Sequence, residues 1–283
     1  MKKKPEWFRI KIPSGGKYFE VEKLLSSQTI HTVCREALCP NRLECWGKGT
    51  FTFLLLGKTC TRRCLFCAVE HAPNCKTLPL PDPNEPEKIC EIVGKIGIKY
   101  VVLTSVTRDD LDDGGANHIA KTIRTLKNAF NDIKVEALIP DILPPYLEVI
   151  IQSGVDVLAH NIEVTRKLTH IVRDPKANYE KSLEVLLQAK NLSCNLLTKS
   201  SMILGLGESM DDVVESMKDL RNCSVDILTL GQYLQPGQTN IPVKRFLELS
   251  EWEELKKVGE EMGFKRVISG PLVRSSYLAG ENL

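Results

Sequence analysis

Six apolar, strand-like runs alternate along this chain with amphipathic stretches of helical period, and that alternation restricts the available folds more than any other feature. The candidate strands are Phe51–Leu56, Tyr100–Thr104, Lys134–Leu138, Val155–His160, Ser201–Leu204 and Val225–Leu230. Helix-like segments lie between them near 86–96, 115–130, 144–152, 178–190 and 209–220. The helical period shows in Ile119, Ile123, Leu126 and Phe130, which return to one face every three or four residues. Asn178-Tyr179 and Ser209 offer helix starts, and Gly154 offers a stop. Strand, helix, strand in succession implies right-handed crossovers and a parallel sheet. Two architectures satisfy this, an open doubly wound sheet or a barrel with fewer than eight units. The strands run at their carboxyl ends into Thr104-Ser105, His160-Asn161-Ile162-Glu163, Gly205 with Gly207, and Gln232-Tyr233. An open sheet would gather such groups at one switch point, whereas a barrel spreads them around one rim. The expected fold class is therefore α/β, a partial TIM-type (β/α)6 barrel over residues 49–240. An N-terminal extension, 1–48, and a C-terminal extension, 241–283, are expected to cover the barrel mouth. The latter carries one helix near 249–262 and a short tail. No repeat of clear period and no low-complexity segment is visible. Pro73, Pro79, Pro81, Pro83 and Pro86 make 73–86 an extended, helix-free connection.

The chain of 283 residues carries a net charge of +2, so no strong field draws it to nucleic acid or to an anionic membrane. Lys2-Lys3-Lys4 would suit the start of a signal peptide, but Pro5-Glu6-Trp7 follows where an apolar run should be. Phe51–Leu56 is too short to span a bilayer. The expectation is a cytoplasmic protein with neither a membrane nor a nucleic-acid partner.

Ten cysteines need a redox reading. A secreted disulfide framework belongs to a much smaller chain with a signal peptide, and neither condition is met. Cys90, Cys194 and Cys223 sit in or beside apolar segments and read as buried, inert thiols. Cys75 lies in a polar, proline-flanked loop close to the other cysteines. The remaining six form two triplets, Cys34-x4-Cys39-x5-Cys45 and Cys60-x3-Cys64-x2-Cys67. Each is one ligand short of a closed four-coordinate site. A structural zinc site takes four ligands, usually as two Cys-x2–4-Cys pairs, and the second triplet has no fourth partner nearby. Thiolate sets of odd number suit iron–sulfur clusters, and three ligands on a four-iron cluster leave one iron open. Cys60 follows the first strand by a few residues, so its triplet occupies a strand-to-helix loop on the polar rim.

Cys-x3-Cys-x2-Cys on the first loop of a partial barrel resembles the radical S-adenosylmethionine enzymes. The resemblance implies that Cys60, Cys64 and Cys67 hold a 4Fe–4S cluster whose fourth iron takes the amine and carboxylate of S-adenosylmethionine. Reductive cleavage of that sulfonium gives methionine and a 5′-deoxyadenosyl radical, which must form in a closed cavity away from water. It further implies that Phe66 lies near the adenine. Thr104-Ser105 is either a satisfied polar pair at a strand end or a contact to the amino-acid part of the cofactor. Asn161 and Glu163 point into the rim if the strand reading holds, which makes them cofactor-side candidates. Gly205-Leu206-Gly207 is half of a dinucleotide fingerprint, but Met210 stands where a third glycine belongs. His160 reads as a satisfied histidine at a strand end. Asp109, Asp110, Asp112 and Asp113 read as a solvated acidic loop before Gly114-Gly115 rather than a magnesium site.

The first triplet, together with Thr104-Ser-Val-Thr-Arg-Asp-Asp, Ala159-His-Asn-Ile-Glu, Gly231-Gln-Tyr-Leu-Gln-Pro and Arg274-Ser-Ser-Tyr, narrows this further. From about residue 30 to 280 the chain is similar to the branch of that family that inserts two sulfur atoms, at C6 and C8 of a carrier-bound octanoyl chain. By that resemblance Cys34, Cys39 and Cys45 hold an auxiliary 4Fe–4S cluster that donates sulfur. A serine oxygen is its fourth ligand, Ser276 with Ser275 as the alternative. The implied partners are octanoylated lipoyl-carrier domains: acyltransferase subunits of 2-oxo acid dehydrogenases and the glycine cleavage H protein. An electron donor such as flavodoxin or ferredoxin and an iron–sulfur carrier are implied as well. Where many members of the family have an acidic residue after the last cysteine, this chain has Ala68. Two other readings stay open on sequence alone. One is a radical enzyme with an auxiliary cluster and a different substrate, and the other an iron–sulfur electron-transfer or zinc-binding module. Lys58, Arg62 and Arg63 beside the cysteines raise nucleic-acid contact, against the weak net charge.

Overall fold

Local signals in the sequence set most of the element boundaries in the computed structural model, which describes Pro5, Phe8 and residues 16–72, 78–277 and 279–281. Helix α1 is Lys17–Ser27, followed by the short α2, Val33–Glu36, and α3, Arg42–Gly47. Strand β1, Thr52–Leu55, leads to two-residue strands β2, Thr59–Cys60, and β3, Glu70–His71. The order continues α4 Glu85–Ile96, β4 Tyr100–Ser105, α5 Ala116–Ala129, β5 Lys134–Leu138, α6 Pro144–Ile151 and β6 Val157–Ala159. Next come α7 Arg166–Val172, α8 Tyr179–Leu192, β7 Leu197–Leu204, α9 Met210–Asn222, β8 Ile227–Gln232, α10 Leu249–Glu261 and β9 Arg266–Gly270. Ala279–Glu281 closes the described chain as a 3-10 turn.

The caps explain several of these limits. Ser209 and Asp212 form a reciprocal capping box at the start of α9, and the Asn178 side chain accepts from Lys181 N at the start of α8. Asp113 accepts from the N–H groups of Gly115 and Asn117, each at 2.9 Å, and so caps α5. Helix α4 has Pro86 in its first turn and ends at Gly97, whose φ of 73° only a residue without Cβ adopts freely. The proline-rich connection thus gives way to helix at Glu85, one residue before its last proline.

The strands lie in one seven-stranded sheet in the order β1-β4-β5-β6-β7-β8-β9, with parallel pairing of β1 to β4, β4 to β5, β7 to β8 and β8 to β9. This is the α/β architecture of a partial TIM-type barrel. It extends the expected six strands by a seventh, because Arg266–Gly270, read as tail, pairs with β8. A parallel sheet covered by helices buries both strand faces, and accordingly every residue of β1 and of β8 is buried. Strand β7 begins four residues before the apolar run that marks it, and α7 lies in a stretch where no helix was expected. Cys194, expected to be buried, is exposed in the turn after α8, whereas Cys223 is buried as expected. Cys75 lies outside the described residues. Among the described residues no helix is long and apolar enough to cross a membrane.

The chain divides into two compact units. One comprises residues 10–62, 69–158 and 278–283; in it α4 packs on α5, and Ile89, Ile92 and Val93 of α4, Ile119, Ile123 and Leu126 of α5 and Val101 to Leu103 of β4 are all buried. The other comprises residues 1–9, 63–68 and 159–277. There the outward faces of β7 and β8 (Met202, Leu204, Leu228, Leu230) pack on Leu186, Val213, Met217, Trp252 and Leu255. Burying one such side chain stabilises the fold by about 1.5–3 kcal/mol.

Candidate functional site

The first cysteine triplet is built on helix ends. Cys34 lies in α2 and Cys45 in α3, both buried, and Cys39 sits in the connecting turn, where its N–H donates to Cys34 O at 3.1 Å. Leu54 N donates to His31 O at 2.9 Å, and Thr32 bridges to Phe53, so α2 is pinned along β1. Trp46, fully buried, is the centre of the packing: Tyr18 stacks on it at 5.4 Å, and the Arg35 and Arg42 guanidiniums each lie 5.7 Å from its ring. Burial and the neighbouring Cys39 thiol push Cys34 up to about 11, and burial with Cys39 and Cys34 pushes Cys45 up to about 12. The three sulfurs are thus close enough to resist one another's ionisation. A cationic iron core reverses that penalty, since a coordinating thiol is deprotonated outright.

The second triplet occupies the loop after β1. In the first unit, Thr59–Cys60 pairs with Glu70–His71, Ala72 N donates to Cys60 O at 2.9 Å, and Arg62 N donates to Cys60 Sγ at 3.4 Å. Arg62 does not face solvent as a nucleic-acid contact would. Its guanidinium grips Asp109 through two bonds of 3.0 and 3.2 Å and donates to Asp141. Desolvation alone would lower its pKa, but the hydrogen bonds and charges of Asp109 and Asp141 hold it above the ordinary value. Lys58 pairs with Glu70 at 3.1 Å. In the other unit, Cys64 Sγ accepts from Asp174 N at 3.4 Å, and Cys67 N donates to Cys64 O at 3.1 Å. Phe66 packs into an apolar cluster of Val164, Val172, Leu206 and Tyr233.

The strand-end residues fall into two kinds. Thr104 is buried at the end of β4, and the buried Ser105 Oγ beside it has no hydrogen-bond partner. Asn161 Nδ2 donates to Glu163 at 3.1 Å, while Asn161 Oδ1 is buried without a partner. Glu163 is held at a φ of 67°, a strained conformation for a side chain with a Cβ. Desolvation pushes its carboxyl above the usual carboxylate range, against the opposing influence of Arg173, Asn161 and His160. His160 is buried, and its N–H continues the ladder to Lys199 O at 2.9 Å. The second kind is structural. Glu208 accepts from the N–H groups of Gly205 and Leu206, filling with a carboxylate the turn a dinucleotide phosphate would need. Of the acidic loop, read as solvated, Asp109 holds Arg62, Asp110 pairs with the buried Arg108 at 2.7 Å, and Asp113 caps α5. Arg108 also donates to Leu56 O and Pro79 O, fastening the proline-rich connection.

Ser275 and Ser276 lie half-buried in a turn in which Tyr277 N donates to Arg274 O at 3.0 Å. The tail reaches this point by crossing β8 so closely that a Cβ on Gly231 would lie 2.0 Å from Val273 O. That contact gives a steric reason for the glycine of Gly231-Gln-Tyr-Leu-Gln-Pro.

These residues fit the groups that such loops hold. Each thiol set is three-membered, its sulfurs interact or accept N–H bonds, and the oxygens of Ser105 and Asn161, buried without a partner, are of the kind a polar ligand satisfies. Among the described residues no three donors converge on a single ion. A cubane asks for something different, one thiolate on each of three irons.

Residues 54–220 match the model of the radical SAM superfamily. The fold agrees: methylornithine synthase superposes with a TM-score of 0.59 at 17% identity, over 77% of this chain and 63% of that one. The FeFe-hydrogenase maturase HydG from Carboxydothermus hydrogenoformans gives 0.62 at 14% identity, over 81% and 55%. The chain is a radical S-adenosylmethionine protein. Lipoyl synthase of Deinococcus radiodurans is 47% identical over 98% of this chain and 83% of its own length. That of Thermus thermophilus is 48% identical over 98% and 85%, and the chloroplastic enzyme of Ricinus communis 48% over 99% and 78%. Within the superfamily the chain belongs to the lipoyl synthases, sulfurtransferases that work with S-adenosylmethionine and two 4Fe–4S clusters.

Proposed function

We propose that this chain inserts sulfur at C6 and C8 of an octanoyl group amide-linked to a carrier lysine, completing the lipoyl group in place. What supports this most directly is the pair of three-thiol sets, each confined to one short stretch of sequence, in a chain of this family. Cys60, Cys64 and Cys67 would hold the cluster that binds S-adenosylmethionine. Cys34, Cys39 and Cys45, with Ser276 as fourth ligand and Ser275 as the alternative, would hold the auxiliary cluster. When bound, these groups supply the electron that cleaves the sulfonium and the sulfide that is transferred. Unactivated methylene carbons have no leaving group or acidic proton, so acid–base side chains alone could not functionalise them.

The chain's own residues bind, orient and exclude water. Phe66 offers an apolar face for the adenine. Thr104, Ser105, Asn161 and Glu163 offer polar atoms for the methionine end, and the two without partners, Ser105 Oγ and Asn161 Oδ1, are the strongest candidates. Glu163, with its carboxyl pushed up by burial, is suited to accept from an ammonium group, which would restore its charge. A serine alkoxide is a harder ligand than thiolate and is released more readily from iron, which suits a cluster that is consumed. On this reading residues 1–48 carry the auxiliary-cluster cysteines, 49–240 the radical barrel and 241–283 the serine ligand. The partners would be octanoylated 2-oxo acid dehydrogenase acyltransferase subunits and glycine cleavage H protein, a flavodoxin or ferredoxin, and an iron–sulfur carrier, in the cytoplasm.

Anaerobic reconstitution followed by single turnover on an octanoyl-lysyl peptide tests the proposal, with about eight irons per chain expected for two cubanes. Alanine at Cys60, Cys64 or Cys67 is expected to abolish 5′-deoxyadenosine formation. Alanine at Cys34, Cys39 or Cys45 is expected to leave cleavage and stop thiolation. Thiolated product from the latter variants would refute the sulfur-donor role, and cofactor cleavage by the former would refute the other assignment.

A further inference from the structure

Residues 63–68 have no regular secondary structure of their own, so the direction of the Cys64 and Cys67 sulfurs is imposed by whatever holds their main chain. Two segments far away in sequence do this. Asn240 Nδ2 donates to Leu65 O at 3.1 Å and to Cys67 O at 2.9 Å, so both hydrogens of one amide tie together the carbonyls on either side of Phe66. Ile241 N adds a second bond to Leu65 O at 3.1 Å. From the end of α7 and the residues after it, the Asp174 carboxylate accepts from Arg63 N at 2.8 Å while Asp174 N donates to Cys64 Sγ at 3.4 Å, and Val172 O accepts from Leu65 N at 2.8 Å.

Asn240 is itself fixed. Its N–H donates to Gly237 O at 3.2 Å, its carbonyl accepts from Gln235 Nε2 at 2.8 Å, and the Tyr233 hydroxyl donates to Ile241 O at 2.8 Å. The loop that leaves β8 therefore ends in a side chain whose two donors both serve the cysteine loop.

We propose that Asn240, backed by Asp174, is a positioning residue of this enzyme: it sets the orientation of Cys64 and Cys67, and through them the electronic character of the cofactor-binding cluster. The proposal rests on the reading of Cys60, Cys64 and Cys67 as that cluster's ligands. Its physical basis is that partners around the ligands orient them, and that hydrogen bonds at the sulfurs help set a cluster's potential. Asn240→Asp is the sharpest probe. It keeps size and shape but turns two donors into acceptors facing two carbonyls.

The test uses the full chain reconstituted anaerobically, comparing the parent with Asn240→Asp, Asn240→Ala and Asn240→Gln. The EPR spectrum of the reduced protein, with and without S-adenosylmethionine, isolates the cofactor-binding cluster. Expected are an altered S-adenosylmethionine-dependent signal and a shifted reduction potential in the Asp and Ala variants, with partial return in the Gln variant. Amide hydrogen exchange over 63–68, measured on iron-free chain, is expected to quicken about tenfold or more on loss of the clamp, while β7 and β8 are unchanged. Unaltered spectra and exchange would overturn the proposal. So would equal acceleration in β7 and β8, which would mark Asn240 as a general stabiliser. If the parent binds no iron, the cluster reading fails, and the exchange data still show separately whether the clamp exists.

Discussion

Arg62 stands between two cysteines, yet its guanidinium belongs to a buried ion triad, and the cost of removing it follows from that geometry. Its side chain is 9% exposed, that of Asp141 1% and that of Asp109 20%. At the 3.0 Å separation from Asp109, unscreened attraction at a protein-like dielectric is about 5 kcal/mol, most of it offset by desolvation. Removing one partner of a buried pair costs about 3–5 kcal/mol, because the remaining charge stays buried without compensation. Arg62→Met leaves two carboxylates facing the same space, so about 3 kcal/mol is expected. Asp141→Asn should follow closely, and Asp109→Asn, more exposed, should cost about 1 kcal/mol. The assay is urea unfolding of iron-free protein carrying Trp7→Phe and Trp252→Phe in every variant, so that fluorescence reports Trp46, which is fully buried in the same compact unit. With an m-value of about 2 kcal/mol/M, Arg62→Met should lower the midpoint by about 1.5 M. The double variant Arg62→Met/Asp141→Leu should regain much of the loss, since the one charge left without its cation is then Asp109, which is 20% exposed and accepts from the Thr61 hydroxyl at 2.9 Å. A loss under 1 kcal/mol for Arg62→Met, or a larger cost for Asp109→Asn than for Asp141→Asn, would refute the assignment of the triad as a buried anchor.

Other tests are independent of metal loading. Asp226 accepts from Lys190 at 2.5 Å and from Thr198 N at 2.9 Å, and Asp226→Asn should destabilise by about 2–3 kcal/mol, measured by urea unfolding. Burial alone would raise the Asp226 carboxyl, but Lys190, Thr198 and Lys265 hold it below its usual value of 3.8. Its contribution is therefore fully present above that value and lost as pH falls through the lower folded one, so the gap between wild type and Asp226→Asn should close only in that acid range. Asp156→Asn should cost less, because that pair is 23% and 20% exposed against 11% and 6%. Gly205→Ala should be severe. At a φ of 102° its new Cβ would lie 2.5 Å from Arg245 O and 2.2 Å from Gln232 Nε2, and loss of thermal stability by several degrees is expected.

The sequence announced the sheet wherever apolar residues outnumber polar ones in a strand and fell short where buried polar residues predominate. Lys134–Leu138 was readable without error. The first half of β7, Leu197-Thr198-Lys199-Ser200, was not, because its polarity is satisfied from outside the strand. Thr198 N bonds to Asp226, and Ser200 Oγ accepts from Ile162 N at 3.2 Å. The site shows the same limit. Thiolate spacing is local, so six candidate ligands could be read directly. The residues that hold them are not local: Asp174 lies 110 residues from Cys64, Asn240 lies 173 from Cys67, and Asp141 lies 79 from Arg62. The Asp109–Asp113 run read as solvated charge because Arg62 is distant in sequence, and because adjacency alone does not reveal that Arg108 is buried or that Asp113 caps α5.

One device recurs at the amino ends of the strands, and it explains why the carboxyl ends can be so poorly satisfied. In one unit Lys127 of α5 donates to Ile133 O and to Asp156, which also accepts from Val135 N. In the other, Lys190 of α8 donates to Leu196 O and to Asp226, which also accepts from Thr198 N. The lysine-to-aspartate spacing is 29 residues in one case and 36 in the other, so no sequence period exposes the repetition. Each staple joins a helix end, a loop carbonyl and two neighbouring strand starts through one carboxylate, and in barrels this face serves stability. At the opposite ends stand Ser105 and Asn161 with partnerless oxygens and Glu163 in a strained conformation, features that each cost about 1–3 kcal/mol. A fold can keep such groups only where the surrounding strands are fixed independently of them. Segregating the staples to one end of the strands leaves the other end free to hold polar atoms without partners.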